Sequence, residues 1–517
     1  MIAPPAARAA GPGVTDATLT RGNASEPATL DPHKYNTSYD AAIIGDLFEG
    51  LVTYDAAGQP VPGLALTWAA SPDGKRYTFH LRPNLVWSDG TALTAEDAVF
   101  SFRRLLDPKI GSVFAPMLYV VKNARSINAG TAAPETLGAS ATDPATVVLE
   151  LDNPAPYLPQ ILACAYASLV PRHVIAARGD AWIQPATMVT SGAYTLESWV
   201  TQEAVTITRN PKYYDAAKVA LARVVYIPTA DPTSALTRFR AGELDLQLGM
   251  PSGMVGKLRE ELPVEARLTP TLLTYYLTLN TTLPKLGDPR VRRALSMAID
   301  REVLTAKVLR GGELPAYSFV PPIVTGYRAA TMDFADRGPE ARIAEAKRLL
   351  AEAGYGPAKP FEITYSHSAN LDLRRIGVII AGMWNRIGVV TTLYNTEGKV
   401  HFANLRQGSY EAAFVGWVGD FNDAISFLYV LESDSFRSNY SRYNNPAFAG
   451  LLGRAAAMEN AGARAQLLRE AEAMVMNDQP IIPLYFGVTK NLVSQRVAGW
   501  RANAVDVHLS RYLTVVR

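Results

Sequence analysis

The sequence has few of the features that mark a chain for a function at first sight. It holds one cysteine, Cys164, which excludes an intrachain disulfide and any multi-cysteine metal site. Cys164 sits in the apolar stretch Ile161-Leu162-Ala163-Cys164-Ala165-Tyr166 and reads as a small buried hydrophobe. No apolar run approaches the roughly 18 residues that would span a bilayer. The formal net charge is only +2, with 19% charged residues, so nothing points to nucleic acid or an anionic membrane as partner. The N-terminus begins Met1-Ile2-Ala3-Pro4-Pro5 and lacks the basic start and continuous apolar core of a secretion signal. Two readings follow: a signal was removed, or the protein is cytoplasmic. Residues 1–15, rich in Ala, Pro and Gly, read as a flexible leader.

Local signatures of catalysis are also missing. There is no G-x-S-x-G elbow, no P-loop, no H-E-x-x-H and no C-x-x-C. Histidines 33, 80, 173, 367, 401 and 508 are scattered and read as surface or structural residues. No cofactor and no metal site are expected.

What is present is the pattern of a large α/β protein. A length of 517 residues suggests about three domains at roughly 150 residues each. In Lys75-Arg76-Tyr77-Thr78-Phe79-His80-Leu81-Arg82, Tyr77, Phe79 and Leu81 share one face, which predicts a half-buried strand. Similar strands are expected near 147–151, 205–208, 275–279 and 361–365. Asp288-Pro289 predicts a capped helix start, with Val291, Leu295, Ala298 and Ile299 on its apolar face and Gly311-Gly312 as its end. Thr94 caps another helix, whose first turn carries Glu96 and Asp97. Further helices are expected over 339–353, 446–458 and 463–476. No repeat of solenoid period is present.

Six segments in order carry a family resemblance. They are Glu26-Pro27-Ala28-Thr29-Leu30-Asp31-Pro32-His33 with Asp46-Leu47-Phe48-Glu49-Gly50-Leu51; Trp87-Ser88-Asp89-Gly90 with Leu93-Thr94-Ala95-Glu96-Asp97-Ala98-Val99-Phe100-Ser101; Thr190-Ser191-Gly192-Ala193-Tyr194 with Arg209-Asn210-Pro211-Lys212-Tyr213-Tyr214; Asp288-Pro289-Arg290-Val291-Arg292-Arg293-Ala294-Leu295 with Ala298-Ile299-Asp300-Arg301; Gly416-Trp417-Val418-Gly419-Asp420-Phe421-Asn422; and Pro480-Ile481-Ile482-Pro483-Leu484-Tyr485. Together they resemble the oligopeptide-binding family of extracytoplasmic solute receptors, bacterial solute-binding family 5.

The resemblance implies a periplasmic-binding-protein-like type II fold, α/β, with two hinged lobes joined by two strands and an additional third domain. Domain I would comprise 16–48, 173–273 and 489–517, domain II 49–172, and domain III 274–488. Hinge strands would lie near 275–280 and 484–488, and the lobes would close on a ligand. The implied role is the substrate-binding component of an ABC importer, working as a periplasmic or extracytoplasmic monomer. It would capture short peptides or peptide-like ligands and deliver them to the membrane permease.

The same resemblance assigns candidate residues. Asp420 would hold the peptide α-ammonium, since a buried ammonium needs an anionic acceptor. Gly416 and Val418 would offer main-chain groups to an added strand, and Trp417 would form a wall. Phe114 and Tyr276 would present aromatic rings to the ligand. Asn36 stands where an acidic residue faces the ligand in enterobacterial-type receptors, and Phe414 where a basic residue occurs. Leu405, Leu373 and Gly398 are further departures, and Arg406 is the candidate substitute cation. The far end of the pocket is therefore expected to be more apolar or more open, with altered length or side-chain preference.

Other readings of the same chain are a receptor for a modified peptide, peptide antibiotic, opine, sugar or metal chelate; a peptide hydrolase; and a signalling or holdase role without transport.

Overall fold

The computed structural model describes residues 17–251, 253–433 and 438–516. The expected leader at 1–15 lies outside the described residues. The chain forms two compact units. One contains the chain up to Pro251, Leu258–Arg267 and Lys490 onward; the other contains 253–257 and Leu268–Thr489.

In the first unit Thr18–Gly22 is central, pairing in parallel with Arg223–Ile227 on one edge and Leu246–Leu248 on the other. Ala204–Arg209 and then Tyr194–Val200 extend this sheet antiparallel. The same unit holds a separate antiparallel sheet in the order Ala65–Ala70, Arg76–Leu81, Thr146–Glu150, Ala139–Asp143. Tyr77, Phe79 and Leu81 are buried there, as their alternation predicts. Helix Ala95–Leu106 packs on this sheet, and its start is fixed by the Asp97 carboxylate accepting the backbone N–H of Thr94 at 2.9 Å.

In the second unit Ala412–Val418 pairs antiparallel with Leu273–Leu279 of the strand Ala266–Leu279. Its other edge meets Phe361–Ser368 in parallel at Ala412 and Ala413, and Val389–Thr396 lies beyond. The strand Ala266–Leu279 shows why its alternate residues differ. Leu272, Thr274, Tyr276 and Thr278 are buried, while Leu273 and Tyr275 are half-exposed. On the buried side Tyr276 meets Phe319 edge-on at 5.2 Å, and Phe319 meets Phe427 at 5.9 Å.

One helix prediction needs correction. A single helix from 289 to 310 was expected, but Pro289–Met297 is followed by Arg301–Val303 and a π turn over Leu304–Leu309. The break comes at Asp300, whose side chain accepts the N–H of Val303 at 3.0 Å and so caps a new start. Arg310, with φ 54°, ends the segment in place of the glycines that follow it.

The arginines of this segment are internal anchors. Arg292 donates to the carbonyls of Leu286, Gly287, Asp478 and Gln479. Arg301, fully buried, donates to Pro483, Ser296 and Ile299 carbonyls, and burial lowers its pKa to about 10. Arg292 and Arg301 are thus explained by carbonyl groups that need donors in the interior, whereas Arg290 is exposed and pairs with Asp288 at 2.7 Å.

A second buried hub is Glu472 on helix Ala461–Asp478. One oxygen accepts the N–H groups of Phe319 and Val320 at 3.0 and 2.7 Å; the other accepts Ala330 N–H at 2.7 Å and the Tyr327 hydroxyl at 2.8 Å. The stretch 319–330 is thereby fastened to the helix.

Among the described residues no helix is long and apolar enough to cross a membrane. Cys164 is half-exposed, not buried as expected, with its sulfur 3.3 Å from the Tyr54 hydroxyl.

Candidate functional site

The run 416–422 occupies the end of the strand Ala412–Val418 and the turn after it. Its two glycines are closely approached by aromatic rings, which would have to shift for any larger residue. A Cβ on Gly416 would come within 2.8 Å of the Tyr275 ring, and one on Gly419 within 2.7 Å of the Phe427 ring. Gly416 and Val418 are exposed, Val418 to 61%.

Asp420 is held from three directions. Its N–H donates to the Ser426 hydroxyl at 2.7 Å, the Tyr429 hydroxyl donates to its Oδ2 at 3.0 Å, and Gly419 before it is tied to the Leu272 carbonyl at 2.7 Å. Burial pushes its pKa up to about 6, although the Tyr429 hydrogen bond works in the opposite direction. Trp417 is half-buried; its Nε1–H donates to the Ser426 carbonyl at 2.7 Å, and its ring meets Tyr429 at 5.9 Å and 78°. Ser426 and Tyr429 therefore join Asp420 and Trp417 in one constellation.

Beyond Asp420, Asn422 exchanges two hydrogen bonds with Thr325, each 3.0 Å. Asp423 takes a bidentate pair from Arg464 at 2.7 and 2.9 Å.

The remaining candidates of this unit lie elsewhere. Phe414, 5% exposed, stacks on Tyr275 at 5.6 Å, and Tyr275 lies 4.7 Å from Tyr485. The Phe414 carbonyl faces His401 Nε2 at 3.1 Å. Tyr276 does not join this face. It is 2% exposed and points to the opposite side of its strand, so it is a core residue, and Tyr275 is the ring beside Gly416. Arg406 is exposed. Leu405 is fully buried.

In the first unit Phe114 packs against Tyr35, the residue before Asn36. Asn36 is exposed; the Tyr35 ring meets Phe114 tilted by 38° at 4.8 Å, and Phe114 stacks on Tyr166 at 4.8 Å. Behind them Arg104 grips both oxygens of Asp31 at 2.9 and 2.6 Å and faces His33 Nδ1 at 2.9 Å. Burial opposes ionisation of Asp31, but the Arg104 bonds hold its pKa below the usual value. His33 is driven down to about 3 by burial and Arg104, so it is neutral at ordinary pH.

Sequence reasoning did not find Tyr429, Ser426, Arg464 or Tyr275. Asp423, three residues past Asp420, carried the only local hint of a second charged anchor. Among the described residues no cluster of three or more His, Cys, Asp or Glu is placed to hold a metal ion.

The arrangement offers a carboxylate of raised pKa beside an exposed strand end. A group in that state gains most from a cationic partner that ionises it.

Comparison with known proteins identifies the fold and the family. The periplasmic oligopeptide-binding protein OppA of Salmonella typhimurium is 38% identical over 490 residues, covering 93% of this chain and 89% of the relative. The probable deoxycholate-binding periplasmic protein YgiS of Escherichia coli is 38% identical over 484 residues, covering 92% and 89%. The unliganded open form of the murein tripeptide-binding protein MppA superposes with a TM-score of 0.86 at 36% identity, covering 98% of this chain and 99% of that one. The fold is therefore the type II periplasmic-binding-protein fold expected from the motifs. The family model for bacterial extracellular solute-binding proteins, family 5 Middle, matches residues 59–439, and with these relatives it shows that the chain belongs to solute-binding family 5.

Proposed function

We propose that this protein is the substrate-binding component of an ABC importer, capturing short peptides with a free amino terminus outside the cytoplasm and handing them to a membrane permease. The observation that carries the reading is Asp420: a carboxylate with its pKa pushed up to about 6, placed by Ser426 and Tyr429 at the end of an exposed strand. A peptide ammonium supplies the charge that such a group lacks in the ordinary interior.

The adjacent strand supports the same reading. Ala412–Val418 is paired along its whole length with Leu273–Leu279, but on the other edge only Ala412 and Ala413 are paired among the described residues. Main-chain groups near Gly416 and Val418 can take an extended peptide as an added strand, independent of its side chains. Trp417 stands beside them as a wall; on the first unit, taken by itself, we propose Asn36 and Phe114 as ligand contacts. Phe414 with Tyr275 and Tyr485 makes an apolar, aromatic face rather than a cationic one. That favours ligands whose far end is apolar. Arg406, exposed on the same unit, is the candidate cation for a ligand carboxylate.

We further propose the division into domain I at 16–48, 173–273 and 489–517, domain II at 49–172 and domain III at 274–488. The protein acts as a monomer and not as a hydrolase. Peptide recovered intact after prolonged incubation, and a single mass in light scattering, are the expected results.

The test is calorimetry with tri-alanine and N-acetyl-tri-alanine. Asp420→Ala should cost about 3–5 kcal/mol toward tri-alanine, the scale for leaving a buried charge without its partner. The acetylated peptide should bind the parent as poorly as tri-alanine binds the variant. Equal binding of tri-alanine by parent and variant refutes the role of Asp420. A second reading, an acidic amphiphile of the kind named for YgiS, is disfavoured by the same carboxylate. Deoxycholate that outcompetes tri-alanine would establish it.

A further inference from the structure

We propose that Arg464 is a positioning residue for the amino-end site, setting the place of Asp420 from the far helix Ala461–Asp478. The inference rests on the reading of Asp420 as the ammonium partner. Arg464 grips Asp423 with two bonds of 2.7 and 2.9 Å, and the two side chains are only 9% and 16% exposed. A bidentate guanidinium–carboxylate pair fixes orientation as well as distance.

From Asp423 the order passes directly to the site. Its Oδ1 also accepts the Ile425 N–H at 2.9 Å, and its carbonyl accepts the Ser426 N–H at 3.1 Å. Ser426 then serves both site residues: its hydroxyl accepts the Asp420 N–H at 2.7 Å, and its carbonyl accepts the Trp417 Nε1–H at 2.7 Å. Every link in this path is a named hydrogen bond. The same helix holds the facing stretch 319–330 through Glu472, and Asn422 bonds Thr325 of that stretch. One helix therefore fixes both sides of the turn that carries Asp420.

A helix that merely stabilised the unit would affect all ligands alike. A positioning residue affects the amino end selectively, because only the ammonium depends on where Asp420 sits.

The experiment measures dissociation constants of tri-alanine and N-acetyl-tri-alanine, directly and by competition, on the full chain. The variants are Arg464→Lys, the charge-neutral double variant Arg464→Met with Asp423→Leu, and Asp420→Asn. The double variant leaves no orphaned charge, so it protects folding; near-parent thermal unfolding confirms that it is folded. The expected result is a loss of at least about tenfold for tri-alanine, with the acetylated peptide nearly unchanged, in the double variant, and partial recovery in Arg464→Lys. A preference for the free amine that is unaltered in a folded double variant overturns the proposal, as does an equal loss for both peptides. If Asp420→Asn retains the parent preference, the reading of Asp420 itself is at fault.

Discussion

The Tyr429 hydroxyl donates to Oδ2 of Asp420 at 3.0 Å from a ring set edge-on to Trp417. This bond favours the ionised carboxylate, against burial, which favours the neutral acid. Tyr429→Phe removes the donor and raises the Asp420 pKa further, since it deletes a hydrogen bond to the charged form. Tri-alanine should lose several-fold in affinity at pH 6 and less at pH 8, measured by calorimetry at both values.

Peptide binding should depend on acidity in a fixed direction. In the free protein Asp420 titrates at about 6, and an ammonium partner lowers that value in the complex. Between the two values binding expels a proton, so affinity falls below pH 6 by up to tenfold per pH unit, and it is greatest between about pH 6 and pH 8, where the carboxylate is ionised and the peptide α-amino group still protonated. At pH 5 the calorimetric enthalpy should vary with the ionisation enthalpy of the buffer. Asp420→Asn should abolish both effects; a flat parent profile would count against the ammonium role.

Glu472 should resist conservative replacement. Both of its oxygens accept, two donors each. A glutamine turns an amide N–H2 toward one of these donor pairs, so Glu472→Gln is expected to destabilise the second unit by about 2–4 kcal/mol. Denaturant unfolding followed by tryptophan fluorescence reads this directly.

Arg301 presents its guanidinium to three backbone carbonyls from a fully buried position. Lysine has the charge without the fork, so Arg301→Lys should lower stability by about 3 kcal/mol, nearly as much as Arg301→Ala. Equal stability of the lysine variant and the parent in denaturant titration would show that the fork is dispensable.

The sequence made the elements legible where a local signal was complete. Asp288-Pro289, Thr94 with Asp97, and the alternation at Tyr77, Phe79 and Leu81 all mark real starts and faces. Asp300 was read as part of a longer apolar helix, since its cap competes with a continuing hydrophobic period. The site was legible as a place, the end of Ala412–Val418, but not in its parity. Leu272-Leu273 and Tyr275-Tyr276 put similar residues on both sides of one strand, so only the fold decides that Tyr275 faces Gly416 and Tyr276 the core. Arg464 was beyond reach, because its bond to Asp423 spans 41 positions and neither residue announces the other.

Gly416 and Gly419 are each filled from outside, one by the ring of Tyr275 and the other by the ring of Phe427. The volumes at 275 and 416, and at 427 and 419, are therefore shared quantities. An alanine at 416 requires the ring at 275 to shift or shrink, so changes at the two positions should tend to travel as pairs. Libraries built to retune the ligand range of this receptor will return more folded members if each glycine is randomised jointly with the ring that occupies its place.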